Sequence, residues 1–596
     1  MSAPSPVNEN TDLVSFTILV GGSEIDGSYQ VARIEVDKAI NRVPSATVVI
    51  QDGNPATENF PISDSSTFVP GSEIEIKAGY HNTNETIFKG LIMGQKVSIY
   101  RDQGSTLTVE CRDKSVKITS GRKNAYFQKK KDSDIISQLI SDGGLSADVD
   151  STSVQHEELI QYYSTDWDFI VSRAEVNGLI VVADAGTVGV KKPEVSGSAV
   201  LGLTYGDDIW SFDGTINARA QIESVRTTSW DPATQRVINA SSSEPSVNSQ
   251  GNITGKKMSD VMSLSEYELQ TPSPLPQDEL KAWADAQLLR SRLASNRGSV
   301  SFQGSSLVKP NTLIELNGVG ERFNGTAFVS AVHHEVEDSN WTTTVEFGLQ
   351  SHWFYENNDI NEPPASGLIP ALTGLQIGVV KQIDKDPDNA FRVLVTLPMI
   401  QSGDDGVWAR LGSNFYATNG AGSFFYPEVG DEVVLGFLND NPTFPIILGS
   451  MYSGKYNPAF TPDDKNSIKA ITTKSQLQLE FNDEKKIITI QTPGGNKMIW
   501  SDDEKSITIQ DQNGNKAIFN DSGIELNSAK NITIKASQNV EISGVEVTAK
   551  GSSKLSGSGE QVSFSADSTF SASGSASAEV KASGNLTLKG SMVSIN

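Results

Sequence analysis

Along Leu13–Gly121, short β-branched runs alternate with polar turns: Phe16–Val20, Ala46–Ile50, Glu73–Ala78, Ile87–Ile92 and Leu107–Glu110. The spacing predicts a barrel or compact β-domain. Helical periodicity replaces it at Ser133–Ser141, where Ile135, Ile136, Leu139 and Ile140 share a face and Gly143 and Gly144 follow. A second helix is predicted over Asp166–Asn177, with Thr165 as N-cap and Gly178 beyond its end. A third spans Asp278–Ser295, with Leu280, Trp283, Ala284 and Leu288 on one face. Strand patterns return at Ser299–Phe302, Thr312–Leu316, Thr326–Val332 and Thr342–Leu349, and Glu356–Gly374 gathers turn residues into a linker. Leu375–Val380, Arg392–Leu397, Val407–Arg410, Glu432–Phe437 and Pro445–Leu448 then suit a small closed barrel of the oligonucleotide/oligosaccharide-binding (OB) type.

The C-terminal part repeats one unit. Ile488-Thr-Ile-Gln-Thr-Pro-Gly-Gly-Asn-Lys-Met-Ile-Trp500 returns 19 residues later as Ile507-Thr-Ile-Gln-Asp-Gln-Asn-Gly-Asn-Lys-Ala-Ile-Phe519, a strand, a Gly-Asn turn and a strand. Beyond it, apolar pairs step by eight: Ile524 and Leu526, Ile532 and Ile534, Val540 and Ile542. The step slips at Val547, lapses over Lys550–Gly559 and resumes at Val562 and Phe564, Phe570, Ala578 and Val580, and Leu586 and Leu588, with Val593 and Ile595 closing it. An i, i+2 pair points to one side of a strand, and one such stripe needs something to cover it. Three chains around an axis would bury it. A disordered Ser-rich tail is the competing reading of Gly551–Gly584.

Composition narrows the function. A net charge of -25 disfavours nucleic acid, whose binding depends on Lys and Arg. Over Asn466–Asn596, 13 Lys stand against 14 Asp and Glu, so the acidity lies almost wholly before the repeat. Cys111 is the single cysteine, which excludes an intrachain disulfide framework and a multi-thiolate metal site. No basic leader precedes an apolar stretch, and no apolar run is long enough to span a bilayer. Assembly in the cytoplasm without a signal peptide is therefore expected.

Candidate chemistry is sparse. Gly449-Ser-Met-Tyr-Ser-Gly-Lys-Tyr456 has phosphate-loop spacing, but Tyr456 replaces the magnesium-binding hydroxyl and Asn457-Pro458 follows where a helix should start. His333 and His334 are adjacent on a predicted strand and so face opposite ways, and His81, His156 and His352 lack ligand spacing. Asp404, Asp405 and Asp502–Glu504 read as solvated clusters, and Lys129–Lys131 as an exposed approach to a helix. Cys111 reads as a packed thiol without an activating partner. No catalytic, cofactor or metal residues are assigned, and no enzyme activity is expected.

Trp408-Ala-Arg410, then Phe425-Tyr-Pro-Glu-Val-Gly-Asp-Glu-Val-Val-Leu-Gly-Phe437, then Pro442-x-x-Pro445-Ile-Ile-Leu-Gly-Ser-Met-Tyr-Ser-Gly454 resemble the VgrG/Rhs spike family of contractile injection systems. Tyr163-Ser-Thr-Asp-Trp-Asp-Phe-Ile170 with Ala174-Glu-Val-Asn-Gly-Leu179 is similar to that family's hub. The resemblance implies a mainly β chain with a few helices: a β-barrel hub at 1–365, an OB-fold neck at 372–456, a linker at 457–475 and a trimeric triple-stranded β-helix needle at 476–596. Its neck residues would be Trp408, Arg410, Pro427, Glu428, Gly430, Asp431, Gly436, Pro445 and Gly449.

The function implied is a homotrimeric puncturing spike, part of a secreted or extracellular injection particle, that meets the target membrane transiently. Its partners would be Hcp-like inner-tube and baseplate proteins, effector cargo, and a PAAR-repeat tip protein seated on Ser591, Met592, Val593, Ser594, Ile595 and Asn596. About 20 residues between Tyr456 and Gln476 leave no room for an inserted lysozyme, and an end at Asn596 would leave cargo to a separate protein. A trimeric β-solenoid adhesin or tail fibre is the alternative, and a cell-wall hydrolase using the needle for delivery a second.

Overall fold

A computed structural model describes residues 3–7, 11–101, 104–357, 360–400, 405–413 and 415–595. Strands take 39% of the chain and helices 11%, which makes it mainly β. Two compact units emerge, Met1–Ser450 and Met451–Asn596.

A thirteen-stranded sheet organises the first unit. Its two halves meet where Gly325–Glu337 pairs antiparallel with Val31–Ala39. Alternation along each strand sends every second side chain inward, giving one core of Ile34, Val48, Ile74, Phe88 and Val109 and another of Leu201, Val300, Phe302, Ile314 and Val345.

Helices α1 (Asp132–Asp142), α2 (Asp166–Val176), α3 (Gly255–Ser259) and α4 (Gln277–Leu293) decorate this hub. The predicted α1 face is buried, and the Thr165 hydroxyl accepts the Asp168 N–H as N-cap of α2. On α4, Leu280, Ala284 and Leu288 are buried while Trp283 stays half-exposed.

Two features differ from the sequence reading. Lys129–Lys131 leads straight into α1, as expected, but does so as the end of a strand, Lys123–Lys131. That strand pairs with Gln155–Ser164, and both were invisible because only Ala125, Phe127 and Leu159 give them an apolar side toward the core. The Glu356–Gly374 stretch is also partly anchored: the Leu372 N–H donates to the Asp440 carbonyl at 2.8 Å, and the Asn439 amide donates to Glu362 and the Ser366 hydroxyl.

His333 and His334 do face opposite ways. His333 meets Asp37 at 2.8 Å, and His334 is buried beside the Thr343 hydroxyl. Burial, with smaller contributions from Lys38 and His333, pushes His334 down to about 3. The folded chain thus keeps it neutral while an unfolded chain protonates it near 6.5. Its contribution to stability is complete above about 6.5 and is lost as pH falls toward 3, at up to roughly 1.4 kcal/mol per pH unit. His334→Gln should flatten that dependence, measured by urea unfolding between pH 7 and pH 4.

Residues 376–451 form a closed barrel of Gln376–Gln382, Val393–Thr396, Val407–Leu411, Pro445–Met451 and Glu432–Phe437. Val380, Val393, Val395, Ala409, Val433, Leu435 and Ile447 fill it.

The second unit opens with a seven-stranded antiparallel meander from Ile468–Thr472 to Gly523–Asn527. Gly495 and Gly514, both at positive φ, turn the two repeat hairpins, as the Gly-Asn signals predict. From 528 to 595 no residue pairs into a strand within the chain. The stepped apolar pairs of that stretch find no cover in their own chain.

Candidate functional site: the neck turn and the needle face

Every strand of the meander has five residues, and the register aligns them in continuous rows. One row runs Ile471, Leu479, Ile490, Met498, Ile509, Ala517 and Leu526. Another, two positions away on the same face, holds Phe481, Ile488, Trp500, Ile507, Phe519 and Ile524. The opposite face is mixed: one row holds Gln478, Gln491, Lys497, Gln510 and Lys516, and another Thr489, Ile499, Thr508 and Ile518. Ile488 and Ile507 remain 38% and 39% exposed, and Ile532, Ile542, Phe564 and Phe570 are more exposed still. Water-facing apolar area on this scale marks an interface.

The turns beside this face are tied by amides. The Asp511 carboxylate accepts from the side chain and backbone N–H of Asn515 and from those of Asn513, which hold its pKa down to about 2. The Gln512 N–H donates to the Asn496 side-chain oxygen at 3.1 Å, linking one repeat turn to the next.

In the neck, Pro427-Glu-Val-Gly-Asp431 is a tight turn. The Asp431 carboxylate accepts the Glu428 N–H at 2.9 Å, and the Asp431 N–H donates to the Glu428 carbonyl at 3.0 Å. Gly430 sits at φ +96 and donates to the Val380 carbonyl, so the turn locks onto the strand that closes the barrel. Gly430→Ala is expected to cost about 1–2 kcal/mol through backbone strain, readable by denaturant unfolding.

Trp408 is half-buried, with the Arg392 guanidinium 6.0 Å from its ring centroid, and that guanidinium is fixed by Asp386. Arg410 is exposed and Pro445 buried. Gly436 and Gly449 have no in-chain demand for glycine: an added Cβ meets only ordinary contacts at Gly436 and nothing at Gly449. Ser591, Met592, Val593, Ser594 and Ile595 are all exposed, while Asn596, like Asp404, lies outside the described residues.

The Gly449–Tyr456 segment starts inside the strand Pro445–Met451, so it has no loop leading into a helix. Asp405 and Asp502–Glu504 are exposed. Cys111 is buried at 1% exposure in the strand Gly104–Arg112, and burial pushes its thiol up to about 12. Among the described residues no three His, Cys, Asp or Glu side chains are grouped to hold a metal ion.

Sequence reasoning missed a buried charge cluster on α2. Arg173 donates to both Asp132 oxygens at 2.7 and 2.9 Å and to Glu279 at 3.1 Å, with His156 3.0 Å from Asp132. Burial alone would raise Asp132, but Arg173, Asn177 and His156 outweigh it and hold the carboxyl below its ordinary value. Two residues on, Glu175 bonds Arg290, the Asn41 amide and the Phe354 N–H. The Tyr163–Leu179 motif is therefore a fastening point for strands, helices and the segment leaving the hub.

Residues 376–452 match the model of the type VI secretion system/phage-baseplate injector OB domain, and residues 487–553 that of the phage baseplate V C-terminal trimerisation domain. A hub, a closed OB barrel and a trimerising β-stalk in this order define the homotrimeric spike of a phage-tail-like system. The chain belongs to the family of the Alg8 N-terminal domain, whose model matches residues 10–338.

Among solved structures, the 43 kDa tail protein of prophage MuSo2 from Shewanella oneidensis is 12% identical, with 57% of this chain and 99% of that one covered at a TM-score of 0.42. The E. coli c3393 protein, a type VI secretion component, is 14% identical over 73% and 99% at 0.36. The Francisella PdpA-VgrG complex gives 10% identity over 87% and 81% at 0.37. No curated protein matches the chain in sequence.

Proposed function

We propose that this trimeric spike punctures a target membrane and helps deliver effectors, coupling an inner tube and baseplate to a piercing tip. The uncovered two-row apolar face of the meander supports this most directly. Covered by two further copies, it gives a dry shaft in which backbone ladders and side-chain packing resist bending together. The exposed Met592 and Ile595 offer an apolar seat at which a PAAR-repeat protein would cap the shaft, and an Hcp-like tube would meet the hub.

In this reading the chain transmits force and performs no catalysis. It assembles in the cytoplasm and acts in a secreted or extracellular particle. Removing residues 487–595 should leave tube and sheath assembly intact while abolishing cargo delivery to target cells. Delivery unchanged by that deletion, or glycan cleavage by the purified chain, would overturn the proposal.

A further inference from the structure

The neck barrel displays a second apolar surface, separate from the needle face. Between the strands Val407–Leu411 and Glu432–Phe437 runs a hairpin whose short rungs are Ala417–Thr418 and Ala421–Gly422. Its base is tied by the Ser413 and Ser423 hydroxyls at 2.8 Å. Phe415 is 77% and Phe424 84% exposed, with Tyr416 and Phe425 also mostly in water. Four aromatic side chains so displayed amount to about 500–600 Å² per barrel, at the upper end of the largest patch expected on a monomer.

Phe391 adds to the cluster. Its backbone holds φ +58, a conformation that bulky residues avoid, and its ring is 79% exposed. The Tyr426 hydroxyl donates to the Phe391 carbonyl at 2.9 Å, and the Tyr426 ring lies 5.1 Å from Phe424. The Asp386 carboxylate accepts the N–H groups of Ala390 and Arg392 on either side and so holds this backbone from within the chain, but the ring itself is left in water.

A complementary feature sits on other strands of the barrel. Leu375 and Leu448 are both more than half exposed and flank Gly436, whose missing side chain leaves a dent between them. Gly436 is one of the two neck positions, with Gly449, where glycine has no in-chain explanation.

We propose that in the homotrimer the aromatic hairpin of each barrel seats in the Leu375–Gly436–Leu448 dent of the next. The inference rests on the trimer and goes beyond it by making the neck a self-locking ring. Charge selects a second copy of this chain as the occupant. From Leu411 to Pro427 there is no Asp, Glu, Lys or Arg, in a chain of net charge -25. Identical acidic surfaces repel one another, so copies approach most readily through a surface without charge.

Tethering helps as well. Barrels joined into one trimer meet at roughly millimolar effective concentration, so a modest contact suffices. A knob on one surface and a dent on another form a heterologous contact, which closes into a ring under three-fold symmetry.

The test uses the full chain with Cys111→Ala, carrying Phe424→Cys and Leu448→Cys together, treated with a short bismaleimide and run on a denaturing gel. Covalent dimers and trimers are expected from the pair, and neither from the single-cysteine variants. Adding Gly436→Phe, which fills the dent, should cut the product about tenfold or more. A native mass of three chains without cross-links would overturn the ring alone. Cross-linking by Phe424→Cys without Leu448→Cys would overturn the pairing of knob with dent. A native mass of one chain would overturn the trimer and the ring together.

Discussion

Replacing Ile488 and Ile507 with aspartate is expected to convert the trimer into single chains at micromolar concentration, with the hub still folded. The two residues occupy one row of the meander, cross-paired with Trp500 and Phe519. Full burial of an isoleucine is worth about 1.5–3 kcal/mol, and the area still exposed here forgoes a third or more of that until other copies cover it. A carboxylate buried there without a partner costs several kcal/mol more. Three copies place six such charges in one dry interior.

Period two supplies the control. Thr508 lies between Ile507 and Ile509 and faces the other way, so Thr508→Asp should leave the trimer intact. Sedimentation of the three proteins decides: a trimer that survives the double replacement, or dissociates equally with Thr508→Asp, would refute the assignment of the inner face.

Arg173→Met should destabilise the hub by about 3–5 kcal/mol, the cost of leaving a buried ion without its counterion. Asp132 is 1% exposed and Glu279 7%, so neither has water to turn to once the guanidinium is gone. Neutralising both, with Asp132→Asn and Glu279→Gln in the same chain, should recover most of the loss because no net charge then stays buried. Denaturant unfolding of the parent, the single variant and the triple variant measures both steps. A single variant within 1 kcal/mol of the parent, on the order of a surface pair's worth, would show the cluster to be well solvated.

The sequence disclosed those parts of the fold whose determinants are local. The α1 face of Ile135, Ile136, Leu139 and Ile140 obeys a 3.6 period, and Thr165 caps α2 by chemistry confined to one turn. Pro-Glu-Val-Gly-Asp stood out only as part of a family resemblance and not as a turn, and the Gly430 bond to Val380 was hidden because its partner lies 50 residues away. The charge cluster was hidden for the same reason: Asp132, His156, Arg173 and Glu279 come from four separate elements, and nothing near any one of them in sequence announces the others.

The strand Lys123–Lys131 was hidden differently. Its outer face is polar except for Tyr126, and a single buried Phe127 leaves no alternation to read. Pairs such as Ile532 and Ile534 announced a covered face, but one chain cannot supply its cover.

The meander also sets a rule for length. Each 19-residue repeat is one strand out and one strand back, and both repeats align in a single uninterrupted register. Inserting or deleting a whole repeat returns the chain to the same side and the same phase, changing the stack by two strand spacings, about 9.6 Å. A half-repeat would reverse the direction in which the chain leaves. Reach is therefore free to vary between related sequences in coarse steps, by duplication of a short stretch of gene, without redesign of anything above or below it.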